Sequence, residues 1–508
     1  MGDVCKQLVF VLSDEYSESF AHQYQFLVNR DTRFFGASER NHYDCRPLII
    51  ERMEVFGSSG VRGIALEEFT PADALLVAQA AGQVFRERFD ATRVAVGRDT
   101  RLTGELMASA VASGLASTGC AVDRVGTVPT PALQAYCERE AVPGVMVTAS
   151  HNPPQFTGIK LCGSDGIELT RDDIETVEAV LRNGPSLATW ENSGRIRQVA
   201  GVNRQYREDV SRAVDRERIA DADLTVALDP GHGSATSTSP ELFSELGCTV
   251  TTVNAQPDGR FPGRNPEPVE ENLTELRRLV RTTDADLGIA HDGDGDRAVF
   301  FDETGSFIDG DAVLAALATV DLSPGETVVS AVNASQRLVD VVDQIGANLE
   351  LTPIGSTNII TTIQQLREAG ETVPLAGEGN GGIIVPEYRM ARDGAYTAAR
   401  FCELLSEQPA SEVVADYDGY VKVRRDLSYE NETERARMLE AIATKAADSD
   451  ATLDTTDGHR LDYGDAWVLA RPSGTEPVVR VYAEAREHER ANALADELVE
   501  AIQTKSRQ

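Results

Sequence analysis

Lysine is nearly missing from this 508-residue chain: five of its 48 basic residues are lysine and the rest arginine, set against 82 acidic residues. The net charge of −34 repels polyanions, which argues against nucleic acid and anionic membrane surfaces as partners. It also repels an anionic substrate unless basic residues are focused at one place. So many carboxylates with so few lysines read as adaptation to a salty cytosol, where ions screen self-repulsion; a merely acidic protein is the plainer reading. Long apolar runs are missing too. No stretch reaches eighteen apolar residues, so no membrane-spanning helix is expected. The short patch Leu8–Leu12 lacks the charged flank and small-residue cleavage site of a signal peptide. Paired cysteines are also lacking. Seven cysteines are scattered with no C-x-x-C pair, which fits a reducing, cytoplasmic setting rather than a disulfide framework or a zinc site.

What is present is too long for one core. Residues 1–52 hold many aromatics, among them Phe10, Tyr16, Phe20, Phe34 and Tyr43, but show no sustained period. The text changes at Met53, so 1–52 reads as a leader that is disordered, regulatory or a gene-start error. Beyond it, strands and helices alternate. The spacing predicts a helix over Ala72–Phe89, a strand over Arg93–Gly97, a helix over Glu105–Thr118, a strand over Val145–Thr148 and a helix over Arg171–Asn183. The pattern restarts with strands at Leu224–Asp229 and Thr327–Val332. This is α/β architecture with largely parallel sheets, in three similar tandem domains. The expected bounds are 53–203, 204–305 and 306–415. Residues 416–508, rich in Val and Tyr strands and ending in a helix over Glu487–Lys505, read as a smaller C-terminal α+β domain.

Four constellations carry chemistry. In Thr148-Ala149-Ser150-His151-Asn152-Pro153-Pro154 a strand ends, a serine is presented, and two prolines stop the backbone from continuing as helix or ladder. That suits a nucleophile or phosphoryl carrier at Ser150, with His151 beside it for proton transfer. Taken alone, such a turn is usually only a turn. Lys160 follows as a charge clamp or acid/base, or as a surface lysine. In Asp292-Gly293-Asp294-Gly295-Asp296-Arg297 three hard carboxylates can fold round one cation of the magnesium type, with phosphate oxygens completing the shell. Their mutual repulsion makes a bound cation the natural explanation. A calcium EF-hand loop is the rival; Glu303 even falls at its twelfth position. Its sixth position, however, carries Arg297 where glycine is needed, and the flanks read as strands. Arg297 can grip phosphate bidentately.

The loop Gly377-Glu378-Gly379-Asn380-Gly381-Gly382 offers a carboxylate and an amide that can bridge neighbouring hydroxyls, or is a flexible turn. Arg471-Pro472-Ser473-Gly474-Thr475-Glu476-Pro477 makes an anion nest that holds phosphate. Arginines in two further glycine turns, Gly97-Arg98-Asp99-Thr100-Arg101 and around Arg62, add positive charge.

In this order the four motifs resemble the α-D-phosphohexomutase family from Met53 onward. The resemblance implies four domains round a central cleft, each contributing one loop. It implies a phosphoserine at Ser150, one magnesium ion per chain held by Asp292, Asp294, Asp296 and the phosphoserine oxygen, and sugar hydroxyls read by Glu378 with Asn380 beside it. It further implies that Arg471, Ser473, Gly474 and Thr475 hold the non-reacting phosphate. His151 and Lys160 match positions near the transferred proton, and Arg62, Arg98 and Arg297 match basic residues near the phosphoserine. The substrate implied is a small hexose phosphate of glucose, mannose or glucosamine, with a hexose 1,6-bisphosphate as intermediate and activator. Many relatives carry Ser at the position of Asn380 and His at that of Gly382; Asn-Gly-Gly endings are similar to archaeal members. A metal-dependent sugar phosphatase and a non-catalytic sugar-phosphate binder are the rival readings. The first needs no second phosphate nest, and the second needs neither Ser150 nor the aspartates.

Overall fold

Among the described residues four sheets form, and in three of them a hairpin holds a motif singled out above. The computed structural model describes residues 56–57, 60–415, 417, 419–473 and 477–506; the leader 1–52, Gly474 and Thr475 lie outside them. The first sheet runs Val61–Ile64, Phe156–Cys162, Gly144–Val147, Arg93–Arg98, Ala121–Thr127, Ile196–Gln198 in spatial order. The second runs Phe307–Ile308, Ala298–Asp302, Leu287–His291, Thr225–Asp229, Thr249–Thr252, and the third Asn348–Thr352, Thr327–Ala331, Leu375–Glu378, Gly382–Val385, Arg389–Arg392.

The three share one plan. Central strands pair in parallel, then the last parallel strand turns back into an antiparallel neighbour. That turn is 148–155 in the first sheet, 292–297 in the second and 379–381 in the third. The serine, metal and sugar motifs therefore occupy the same place in three repeats, at the carboxyl ends of parallel strands where open α/β sheets bind ligands. The fourth sheet, Val421–Ser428, Val478–Ala485, Ala466–Pro472, His459–Asp462, Thr452–Asp454, is antiparallel throughout. Arg471 of its motif lies on Ala466–Pro472, which pairs antiparallel with Val478–Ala485.

Burial explains the difference between the sheets. Gly144–Val147, Leu287–His291, Ala298–Asp302 and Thr327–Ala331 are buried at every position, as strands covered by helices on both faces must be. Val478–Ala485 instead alternates between buried and half-buried over much of its length. In this sheet Val479, Val481 and Ala483 share a core with residues of the helices Glu432–Ala447 and His488–Ser506.

Helix starts follow local capping chemistry. Thr70 and Asp73 form a reciprocal capping box before Pro71–Arg88, and Thr170 and Asp173 do the same before Arg171–Asn183. Each satisfies two backbone amides that the first turn leaves open. The expected strands and helices lie within a residue or so of these elements. The antiparallel hairpins are the feature that periodicity did not show.

Candidate active site

Ser150 is fully buried and sits in the left-handed backbone region, with φ at 50°. A non-glycine residue there is strained, so its surroundings must hold it. They do so from two sides. The Ser150 amide donates to Thr148 Oγ1 at 2.8 Å, and that hydroxyl donates to Asp99 Oδ2 at 2.7 Å. Arg101, itself buried, donates from Nη2 to the carbonyls of Ser150 (2.8 Å) and Asn152 (2.6 Å). Its Nη1 donates to those of Pro153 (2.6 Å) and Phe156 (3.0 Å), and its Nε to Asp99 Oδ2 at 3.0 Å. Every donor of this guanidinium is used, four of them on the serine loop.

The metal loop faces Ser150 directly. Ser150 Oγ donates to Asp292 Oδ2 at 2.7 Å. Gly293 passes so close that a Cβ there would lie 2.6 Å from the Ser150 carbonyl oxygen, which requires glycine. Asp292, Asp294 and Asp296 are all buried, and one oxygen from each lies within 4.8 Å of the others. Lys160 Nζ donates to Asp294 Oδ2 at 2.7 Å and Asp296 Oδ2 at 2.9 Å. Thr130 Oγ1 donates to Asp294 Oδ2 at 2.6 Å, and Arg392 Nη2 to Asp296 Oδ2 at 2.7 Å.

Among the described residues, Asp294 Oδ1 and Asp296 Oδ1 are buried without a hydrogen-bond partner. Two buried carboxylate oxygens left in this way, within a cluster of three aspartates, fit a divalent cation with hard oxygen donors. Burial pushes the Asp292 carboxyl well up, and Asp294 and Asp296 add to that. Burial acts the same way on Asp294, but the Lys160 ammonium and the hydrogen bonds it receives outweigh this and hold it below the usual range. Burial also works against the Lys160 ammonium, yet Asp294 and Asp296 keep it charged. Lys160 is thus a cation, which suits a clamp rather than a base.

His151 has Nδ1 buried with no hydrogen-bond partner among the described residues. Burial, with Arg297 and Arg62 adding to it, pushes its ring well below the ordinary value, so it is neutral near pH 7. Arg62 donates to Asn152 Oδ1 at 2.7 Å, and burial lowers it to about 10. Arg297 lies 3.9 Å from Asp296 Oδ1, and its amide donates to Asp292 Oδ1 at 3.4 Å. Arg98 has other partners: it donates to Glu105 Oε2, on the helix Gly104–Ser117, at 3.2 Å and to the Asp99 carbonyl.

The sugar loop joins from the third sheet. Glu378 Oε1 accepts from the Gly355 amide at 3.2 Å, and Asn380 Nδ2 donates to Glu378 Oε2 at 3.4 Å. Asn380 Oδ1 accepts from the Gly382 amide. The Gly381 carbonyl accepts from the Ala298 amide at 3.0 Å, which ties this loop to the metal hairpin. The fourth sheet adds Arg471. Arg471 Nε lies 2.8 Å from Asp457 Oδ2, which accepts from the Ile354 amide at 3.0 Å. The Ser473 amide donates to the Val478 carbonyl. A path of polar contacts thus runs from Arg471 through Asp457, Ile354–Gly355, Glu378 and Arg392 to Asp296, and from there through Arg297 and Asp292 to Ser150.

Sequence reasoning missed Arg101, Thr130 and Arg392. Arg101 lay inside a motif noted only for its charge. Thr130 and Arg392 carried no local signal at all.

The chain matches four family models in tandem: phosphoglucomutase/phosphomannomutase α/β/α domain I over residues 53–187, domain II over 204–305, domain III over 309–420 and the C-terminal domain over 422–501. It is 39% identical over 445 residues to a phosphoglucomutase/phosphomannomutase of Thermococcus kodakarensis, covering 86% of this chain and 96% of that one. It is 38% identical over 453 residues to a probable phosphoglucosamine mutase of Methanopyrus kandleri, covering 88% and 97%. Among solved structures, a phosphoglucomutase/phosphomannomutase family protein of Burkholderia thailandensis superposes with a TM-score of 0.77 at 28% identity, over 89% of this chain and 97% of that one.

Proposed function

The chain belongs to the phosphoglucomutase/phosphomannomutase family, and from that premise we propose that it interconverts hexose 1-phosphate and hexose 6-phosphate through a phosphoserine at Ser150. The observation that carries this reading is the hydrogen bond from Ser150 Oγ to Asp292 within a buried triad of aspartates. The phosphoryl group on Ser150 passes to the free hydroxyl of a bound hexose monophosphate, giving a bisphosphate. The bisphosphate turns over in the cleft, and Ser150 Oγ takes back the other phosphoryl group. One P–O bond forms and one breaks at each transfer, so no phosphate is released.

Asp292, Asp294 and Asp296 would hold one magnesium ion, which when bound neutralises charge on the transferring oxygens. Lys160, Arg62 and Arg297 add fixed positive charge there. Neutral His151 accepts the proton of the attacking hydroxyl. Glu378 and Asn380 read the sugar hydroxyls. Arg471, with Ser473, Gly474 and Thr475 that follow it in the sequence, grips the phosphate that does not react. Relatives named for glucosamine, glucose and mannose phosphates make these three hexoses the substrates to compare. The acidic, lysine-poor surface supports a salty cytoplasm as the working medium.

The test supplies magnesium, each hexose 1-phosphate and a trace of its bisphosphate, and follows hexose 6-phosphate and free phosphate together. The mutase reading requires 6-phosphate without free phosphate, lost in Ser150→Ala. Free phosphate as the main product supports the phosphatase reading instead.

A further inference from the structure

Arg392 belongs to none of the four motifs, yet its guanidinium touches two of them. It ends the strand Arg389–Arg392 and is 4% exposed. Its stem runs past Gly382, where a Cβ would lie 2.6 Å from Arg392 Cδ. The glycine at 382 is therefore what lets the side chain through. Beyond it, Nη2 donates to Asp296 Oδ2 at 2.7 Å in the metal loop. On the other side Nη1 lies 3.6 Å from Glu378 Oε2 in the sugar loop, and Nη2 lies 3.9 Å from Glu168 Oε1. Glu168 is itself held by Ser356 Oγ at 2.7 Å. Nε is a buried donor with no partner among the described residues, so the guanidinium is not saturated where it sits.

We propose that Arg392 is a positioning residue shared between the metal and sugar loops. It is the counter-ion of Asp296 when the triad holds no divalent cation, and it turns to Glu378 and Glu168 when the triad holds one. A cation on Asp296 and a guanidinium on the same carboxylate repel each other, so binding of the first displaces the second. The displacement is small. Closing 3.6 Å to a charge-assisted hydrogen bond of about 2.8 Å moves Nη1 by less than about one ångström. Only a planar fork can reach both loops; a lysine ammonium is a single point. Metal occupancy then fixes the carboxylate that reads the sugar. By reciprocity, sugar binding at Glu378 strengthens the hold on the metal. The sugar-reading role of Glu378 comes from the mutase reading. The link between Arg392 and the metal loop does not depend on turnover.

The experiment titrates Mn2+ into the whole unphosphorylated protein, following free Mn2+ by electron paramagnetic resonance, and separately measures KM for hexose 1-phosphate. In Arg392→Met, which keeps a stem and removes the charge, Mn2+ binds about fivefold or more tightly and KM rises about tenfold. Arg392→Lys, the safer variant for folding, holds Mn2+ affinity within about twofold of wild type while KM still rises about tenfold. Unchanged or weakened Mn2+ binding in a folded Arg392→Met protein overturns the proposal, and so does an unchanged KM in Arg392→Lys. The Mn2+ arm needs no activity, so a failed mutase assay leaves its outcome readable.

Discussion

The guanidinium of Arg101 donates to the carbonyl oxygen of Ser150 at 2.8 Å, from the next loop of the same sheet. With its bonds to Asn152, Pro153 and Phe156, it holds the serine loop in a backbone conformation that the loop alone would leave. Arg101→Lys replaces five donors by three on a flexible stem. A displacement of Ser150 by about 1 Å is enough to lower kcat by about 10²-fold. KM stays within about threefold, because Arg101 meets none of the groups that read the sugar. Steady-state kinetics separates the two, and an unchanged kcat in the folded variant removes Arg101 from this role.

Asp294 has Lys160 and Thr130 on one oxygen and no hydrogen-bond partner on the other among the described residues. Asp294→Asn replaces a charged donor by a neutral one in a three-carboxylate set. Mn2+ binding then weakens about 100-fold. Magnesium restores activity to chelator-treated wild type but not to the variant at the same millimolar concentration. Equal restoration of both places the cation elsewhere.

Lys422, on the first strand of the C-terminal sheet, donates to Asp311 Oδ2 at 2.6 Å and to the Asn333 carbonyl at 2.9 Å in the preceding domain. Burial works against its ammonium, yet Asp311 and Glu484 outweigh burial and hold its pKa above the ordinary lysine value. Folding therefore favours the protonated form. The stability it contributes is complete below the unfolded value of about 10.4 and is lost as pH rises through and beyond it. Melting temperatures followed from pH 9 to about pH 11.5 fall less steeply in Lys422→Met than in wild type. Parallel slopes show that this ion pair does not couple the two domains to pH.

A net charge of −34 makes self-repulsion a destabilising term that salt screens, with the Debye length falling from about 10 Å at 0.1 M to about 3 Å at 1 M. Salt also weakens favourable surface ion pairs, but each of these contributes little. The melting temperature rises by about 5 °C or more between 0.1 and 2 M KCl. A flat or falling curve leaves the protein merely acidic.

Much of this site was legible in the sequence because its chemistry is local. Ser150 between a strand and two prolines, and three aspartates alternating with glycine, announce themselves over a few residues. Three tandem α/β units could be read from restarting periods. The hairpin that places each motif could not, because pairing such as Met146 with Lys160 depends on which strand folds back. Arg101 and Arg392 act on groups 49 and 96 residues away, so no short pattern contains both partners. Arg98 shows the converse: a motif position that reads as basic near the serine loop carries its charge to Glu105.

The proposed path of the phosphoryl group runs through Ser150. Its most direct test incubates the purified protein with hexose 1,6-bisphosphate, locates the acquired phosphate by peptide mass spectrometry, and then adds hexose 1-phosphate. One phosphoryl group is expected on Ser150, leaving on the sugar as bisphosphate with no inorganic phosphate formed. Phosphate on another residue, or its release to water on adding sugar, would contradict it.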